Sequence, residues 1–299
     1  MNEENNKRVK KAVVTDAGFA SRYLPITKTM PKAMLPLGNR PIMQFVVEEC
    51  QEAGIEEIII VATPEGKPIY EDYFNNAVNR IRKQLASQGK EDRYEPVQHV
   101  LDFPKITVIV QDQSLPYGNG SPVASAQKYV EDEEAFLVLY SDDVVFGTSD
   151  AKAMVDLYKE NPDVEAIIMA QEVSPDVVDK YGIISPKKGT ENVLDNIVEK
   201  PDKGSEPSLL ASYGRYLLKP SIFKHLIPVN TGKDEELWTV DAITEIAKKK
   251  KILVEKTKGE WMTTGDPENY FRAHLKYVLE HEKYGRQVRE WLNEFEDKQ

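Results

Sequence analysis

Residues 11–63 read KAVVTDAGFASRYLPITKTMPKAMLPLGNRPIMQFVVEECQEAGIEEIIIVAT. One β-rich apolar run opens the stretch, KAVVT at 11–15, and another closes it, IIIVAT at 58–63. Between them Ile42, Phe45, Val46 and Ala53 recur at helical spacing and mark the buried face of a helix. Asn39 is its expected N-cap, Pro41 stands in its first turn, and Gly54 ends it. Strand, helix and strand make a βαβ unit, whose two strands run parallel. Further runs at 106–111, 136–140 and 166–170 alternate with helical segments. Near-continuous apolar strands are buried on both faces. The reading is therefore an α/β fold: a Rossmann-like, mixed, mainly parallel sheet with helices on both faces.

Two segments interrupt the alternation. Between residues 75 and 104 the chain turns polar and charged, which reads as a helical insertion beyond the sheet edge. From 181 to 219, turn-punctuated strands (YGIISPKKG, NVLDNIVEKP, YGRYLLKP) indicate antiparallel pairs added to the parallel core. From Pro267 on, Tyr270, Ala273, His274, Tyr277, Val278 and His281 keep helical spacing, and after Gly285 a last helix carries Val288, Trp291, Leu292 and Phe295. No repeat or low-complexity linker divides the chain, so one domain is expected over 8–299, with the insertion at about 75–104 and C-terminal helices at about 267–297.

The 299 residues are 40% hydrophobic and 30% charged, and this balance excludes a disordered or fibrous chain. Mean hydropathy is −0.50, and the longest apolar runs fall short of the ~18 residues of a membrane span. The start MNEENNKRVKK has no apolar leader core, from which a cytoplasmic protein is expected. A single cysteine, Cys50, lies on the apolar helix face and reads as a small buried hydrophobe. The net charge of −11 argues against nucleic acid as a partner, because such binding needs clustered cations. A small phosphorylated ligand stays open, since a pocket can gather a few cations locally.

Chemistry concentrates where the first strand ends. The loop beginning TDAGFASRYLP contains neither G-x-G-x-x-G nor a P-loop. It does carry Arg22, Lys28 and Lys32 at the C-terminal edge of the sheet, where ligands of open α/β sheets bind. Three cations there suit a polyphosphate; the alternative is three solvated side chains. Asp142 and Asp143 stand just past the strand at 136–140, where carboxylates can hold a hard cation. A solvated acidic turn is the alternative there. None of the four histidines falls in a motif.

The run A-G-x-x-[ST]-R-x-L-P-x-T-K-x-M-P-K-x-M-L-P, residues 17–36, resembles the signature of bacterial UTP:glucose-1-phosphate uridylyltransferases, within the sugar-1-phosphate nucleotidylyltransferase superfamily. Gln113 with LPYGNGSPVASA, LVLYSDD at 137–143, YGIISP at 181–186, VEKP at 198–201, GRYLLKPSIF at 214–223 and EELWTVDAI at 235–243 follow in the family's order. The resemblance covers nearly the whole chain. It implies a nucleotide-diphospho-sugar transferase fold, dependence on Mg2+, a homodimer or homotetramer, and UTP and glucose-1-phosphate as partners. It also implies site residues: Arg22, Lys32 and Lys200 as catalytic cations, and Asp142 as metal ligand, with Asp143 beside it. Ala17, Gly18, Gln113 and Gly118 would meet the nucleotide, and Gly182, Glu199 and Gly214 the sugar.

The match departs at four positions. Asp16 stands where the family has Ala, Ala20 where it has Gly, Ala33 where it has Glu, and Thr263 where many relatives have a second metal-binding Asp. A hydroxyl is a poor substitute for a carboxylate at Mg2+. An active uridylyltransferase leads the readings. A nucleotidylyltransferase of altered nucleotide or sugar specificity and a catalytically weak sugar-nucleotide-binding regulatory protein are the alternatives.

Overall fold

The computed structural model of the chain describes residues 9–232 and 235–296. Residues 1–8, which carry most of the expected N-terminal stretch MNEENNKRVKK, and 297–299 at the end of the expected domain lie outside the described residues, as does the side chain of Phe295. After β1 (Lys11–Asp16) a long loop ends in a small hairpin, β2 (Pro36–Leu37) with β3 (Arg40–Pro41), and α1 (Ile42–Glu52) follows at once. Pro41, not Asn39, is the N-cap of α1. Asn39 is taken up by the hairpin turn beside Gly38, whose φ of +65° a glycine adopts without strain. Gly54 ends the helix with φ +77°, as a C-terminal glycine should.

The chain continues through β4 (Glu57–Ala62) and α2 (Gly66–Asn75). The polar stretch after it is helical, with α3 (Asn79–Ser87) and α4 (Glu95–Leu101), and leads into β5 (Lys105–Val110) at the edge of the sheet. Next come α5 (Gly120–Ser125), α6 (Gln127–Val130), β6 (Phe136–Tyr140), β7 (Asp143–Phe146), α7 (Asp150–Glu160) and β8 (Ala166–Glu172). The antiparallel part consists of β9 (Gly182–Pro186), β10 (Leu194–Glu199) and β11 (Leu210–Leu218). Then follow α8 (Thr239–Ala247), β12 (Ile252–Lys256), β13 (Glu260–Thr263), α9 (Pro267–Glu280) and α10 (Gly285–Glu296).

The main sheet runs β10-β9-β11-β6-β1-β4-β5, with β8 and β12 branching from β11. Pairs β6/β1, β1/β4, β4/β5 and β8/β12 are parallel, while β11 is antiparallel to β6, β8 and β9. Alternation along β1 and β4 feeds two cores. Ala12, Val14, Ile58 and Ile60 meet Met43, Val47 and Tyr70 on one face, while Val13, Ile59 and Val61 meet Val123 and Val130 on the other. Each such fully buried Val or Ile contributes about 1.5–3 kcal/mol of transfer free energy. Cys50 belongs to the first core and is fully buried, and burial pushes its thiol pKa well up. No helix among the described residues is long and apolar enough to cross a membrane.

Strand β11 is irregular. Between Ser212 and Tyr216 its register shifts: Ala211 and Ser212 pair with β9, and Arg215 to Leu218 pair with β6. Bulges bend a strand and re-aim its side chains. Here the bend lies beside the end of β6.

Candidate active site

The C-terminal end of β6, the bulge of β11 and the facing ends of β9 and β10 border a cleft of about 580 Å³. Arg22, Asp142, Asp143, Gly182, Glu199, Lys200 and Gly214 all line it, although they are scattered over 193 positions of sequence. The loop after β1 is built from short 3-10 turns at Ser21–Tyr23, Ile26–Lys28 and Lys32–Met34. It is pinned from below: the buried Tyr23 hydroxyl donates to Thr264 O at 2.7 Å, and Thr27 Oγ1 donates to Ala20 O at 3.0 Å. Arg22 is exposed, and its Nη1 donates to Gly265 O at 3.4 Å. Ala20 has φ +46°, a left-handed conformation that costs an L-residue roughly 1–2 kcal/mol. The loop's geometry asks for the glycine that the resemblance leads one to expect there.

Lys32 reaches across to Asp142, with Nζ 2.6 Å from Oδ2. Burial opposes ionisation of Asp142, but the adjacent ammonium outweighs it and holds the carboxyl below its usual range. Burial likewise works against the charge on Lys32, and Asp142 and Asp16 together raise its pKa. Asp16 is therefore no unpartnered charge. Its Oδ1 accepts from Ser141 Oγ at 2.8 Å and its Oδ2 from the Tyr70 hydroxyl. Burial dominates at Asp16 and raises its pKa, Lys32, Tyr70 and Ser141 offsetting only part.

Asp143 differs from its neighbour. It is 6% exposed, with Oδ1 accepting from Trp261 Nε1 at 2.7 Å and Oδ2 from Gly214 N at 3.0 Å. Burial first, and the Asp142 charge second, push its pKa up to about 6. Both oxygens tie β7 to its neighbours, so of these two adjacent aspartates, both lining the cleft, it is Asp142 whose carboxylate is not bonded to adjacent strands. Thr263 lies opposite on β13, paired with Asp143, and its Oγ1 accepts from Gly265 N at 3.1 Å. Ala33 is fully buried in the first core, leaving no room for a longer acidic side chain without repacking.

Lys200, also lining the cleft, has φ +46°, with Nζ 3.6 Å from Glu199 Oε1 and 5.3 Å from the centre of the Trp238 ring. Gly182 leaves space for Glu199: a Cβ there would approach Oε2 to 2.9 Å. Gly214 has its own packing reason, since a Cβ would collide with the Tyr140 ring. Gly118, at φ +130°, lies against the backbone of Leu237, and Gln113 is exposed with its amide donating to Gln111 O at 2.9 Å. These two belong to the loop before Asn119, which does line the cleft. At Ala17 and Gly18 the loop is open; a Cβ on Gly18 would meet nothing within 4 Å.

Among the lining side chains that sequence reading passed over are Asn119, Trp238, Trp261 and Asn269. Asn119 Oδ1 accepts from Thr239 N at 2.9 Å and so ties the loop to α8. Asn119 and Trp238 fall inside the quoted motifs, where nothing local sets them apart from their neighbours.

The nucleotidyl transferase family matches residues 11–280. The UTP–glucose-1-phosphate uridylyltransferase of Staphylococcus epidermidis is 33% identical over 293 residues, which are 97% of this chain and 99% of that protein. A UTP-bound UGPase from Acinetobacter baumannii shares the fold with a TM-score of 0.85 and 31% identity, covering 96% of this chain and 99% of its own. A UDP-glucose pyrophosphorylase complexed with UDP-glucose gives 0.77 and 33%, covering 90% and 98%.

Proposed function

Because the chain belongs to the nucleotidyl transferase family, we propose that it transfers a uridylyl group from UTP to glucose-1-phosphate, giving UDP-glucose and pyrophosphate. One observation carries this reading: a single cleft is lined by Arg22, by Asp142, whose carboxylate meets Lys32, and by Lys200 and Glu199. Two phosphorylated substrates can meet in it. A sugar-phosphate oxygen attacks the α-phosphorus of UTP, the bond to the β-phosphate oxygen breaks, and pyrophosphate leaves with the electron pair. The nucleophile is already an anion at neutral pH, so no general base is required. Positioning and charge neutralisation supply most of the rate.

Lys200 holds the sugar phosphate, Glu199 accepts hydrogen bonds from sugar hydroxyls, and Gly182 and Gly214 border the hexose. Arg22 and Lys32 neutralise the triphosphate, while Ala17, Gly18, Gln113 and Gly118 take the nucleotide. A divalent cation, Mg2+ in this reading, fits Asp142. Among the described residues no group of three or more His, Cys, Asp or Glu could hold a metal. Mg2+ needs only one or two carboxylates when substrate phosphates complete its shell. When bound, it would neutralise charge on the transferring phosphate. Lys32 already meets Asp142, so with a cation on the carboxylate its ammonium would be left to pair with phosphate oxygens.

Altered sugar preference remains the second reading, favoured by Trp238, whose broad ring lines the cleft beside Lys200. A homodimer or homotetramer is supported by the apolar side chains exposed on the last two helices, Phe271, Leu275 and Trp291; a monomeric mass in light scattering removes that part. A panel of nucleoside triphosphates and sugar-1-phosphates, assayed with Mg2+ by pyrophosphate release, tests the function. UTP with glucose-1-phosphate should give the highest kcat/KM. A different pair preferred tenfold or more overturns the assignment, as does a protein that binds UTP without turnover.

A further inference from the structure

Beneath the cleft lies a charged pair that the proposed reaction does not use. Arg215 is fully buried and Glu49, on α1, is 8% exposed. Nε of Arg215 donates to both Glu49 oxygens at 3.1 and 3.0 Å, and Nη2 to Oε2 at 2.8 Å. The remaining donors go to backbone carbonyls: Nη1 to Tyr140 O at 3.1 Å and Gly214 O at 2.9 Å, and Nη2 to Asp143 O at 2.6 Å. No N–H of the guanidinium is left over. Two of the three carbonyls flank Asp142 on either side.

The third carbonyl of the turn, Asp142 O, accepts from Thr264 N and from Thr264 Oγ1 at 3.0 Å. With the Asp143 carboxylate bonded to Gly214 and Trp261, the carbonyls of Tyr140, Asp142 and Asp143 and both Asp143 carboxylate oxygens are held by neighbouring segments. The bulge in β11 aims Arg215 at the turn: residues 215–218 pair with β6, while Ser212 pairs with β9. A buried ion pair is weak grounds for stability, because apolar replacements of equal volume are often as stable. The planar fork of arginine does supply directional donors to several carbonyls at once.

We propose that Arg215, anchored by Glu49, is a positioning residue of the transfer site: it clamps the turn at 140–143 and so fixes the direction in which Asp142 enters the cleft. The inference deepens the functional reading and rests on it for the role of Asp142. Arg215 touches no substrate. Its effect passes through the carbonyls of Tyr140 and Asp143.

Arg215→Met alone strands the Glu49 charge in the core, so the working variant is the double substitution Arg215→Met with Glu49→Leu, and Arg215→Lys serves as the second. In the folded double variant the clamp predicts a kcat loss of roughly 100-fold or more, of the order seen when one preorganised donor is removed from an active site. KM for UTP should stay within about threefold, and the Mg2+ concentration for half-maximal rate should rise about tenfold, as for removal of a group outside the ligand shell that orients a metal ligand. Amide exchange should quicken at 140–146 and stay native in β1 and β4. Arg215→Lys, which keeps a charge but not the fork, should fall between.

A folded double variant with native kcat and native Mg2+ dependence overturns the proposal. So does a rate loss accompanied by faster exchange throughout the sheet, which is the pattern of general destabilisation. Where the double variant fails to fold, Arg215→Lys decides by the same two criteria. The exchange arm is independent of turnover: native protein that makes no UDP-glucose would sink the functional reading, while local exchange at 140–146 would still judge the clamp.

Discussion

Asp143→Asn tests how the buried carboxylate beside Asp142 is held, and its outcome depends on pH in a way that can be worked out in advance. Asp143 is pushed from 3.8 to about 6 by burial and then by the Asp142 charge, with Arg215, Trp261 and Gly214 offsetting part. At about 1.4 kcal/mol per pKa unit, keeping it ionised in the folded protein costs about 3 kcal/mol at neutral pH. Because the folded pKa is the higher one, this contribution to stability is fully present below pH 3.8 and is lost as pH rises through 6. Asparagine never ionises, so it escapes that cost. It pays another: one of its two polar atoms is an NH2 facing an N–H donor, which leaves either Trp261 Nε1 or Gly214 N unpaired for about 1–3 kcal/mol. At pH 4 the native protein should therefore be the more stable by about 1–3 kcal/mol. Between pH 4 and 7.5 that gap should close by about 3 kcal/mol, until the variant equals or exceeds the native protein. Urea denaturation of both proteins across this range measures the gap directly. A gap that is constant, or that widens as pH rises, refutes the argument, since the second result would mean a depressed pKa.

Lys200→Ala should raise KM for glucose-1-phosphate roughly 10- to 100-fold, the worth of a charged hydrogen bond, and leave UTP affinity unchanged in calorimetry; unchanged KM removes Lys200 from the site. Asp142→Asn should keep the fold, because Asp16 still compensates Lys32, yet lower kcat and raise the Mg2+ requirement; an unaltered Mg2+ titration reduces Asp142 to an ion-pair partner. Arg22→Ala should weaken UTP binding far more than uridine binding, and equal losses would place Arg22 away from the phosphates. Ala20→Gly with Thr263→Asp should raise turnover and tighten the Mg2+ dependence. The glycine relieves a left-handed residue of about 1 kcal/mol, and the aspartate adds a carboxylate near Asp142, since a Cβ on Gly265 would lie 3.2 Å from Thr263 Oγ1 and 3.3 Å from Asp142 Oδ2. A slower double variant would mean that the departures serve another substrate.

The sequence alone was enough for β1, β4, β5, β6 and β8, because a largely buried strand is nearly continuously apolar and announces itself without its partners, whereas β12, parallel to β8, went unread. The runs at 11–15, 58–63, 106–111, 136–140 and 166–170 fall within a residue or two of β1, β4, β5, β6 and β8. The loop after β1, Asp142, Glu199 and Lys200 were legible for a related reason. They stand at strand ends, where ligands of open α/β sheets bind, but the roles expected of Asp142, Glu199 and Lys200 came from the family resemblance and not from local order.

What sequence could not supply are relations between positions far apart. Asn39 looks like a helix cap until the hairpin of β2 and β3 claims it, and only the ring of Tyr277 packed against Gly38 shows why the turn is so tight. Asp16 reads only as a departure from the family's alanine, yet Tyr70, Ser141 and Lys32 surround it from three separate segments. Asp142 and Asp143 are adjacent letters with the same chemistry. Tertiary structure separates them, turning one toward Lys32 and the cleft and spending the other on Trp261 and Gly214. Glu49 and Arg215 meet across 166 residues, and no periodicity links them. Propensity and burial pattern act over one or two turns of chain. A carboxylate's role, by contrast, is set by which donors the sheet order brings within about 3 Å of it, and that distance exists only after folding.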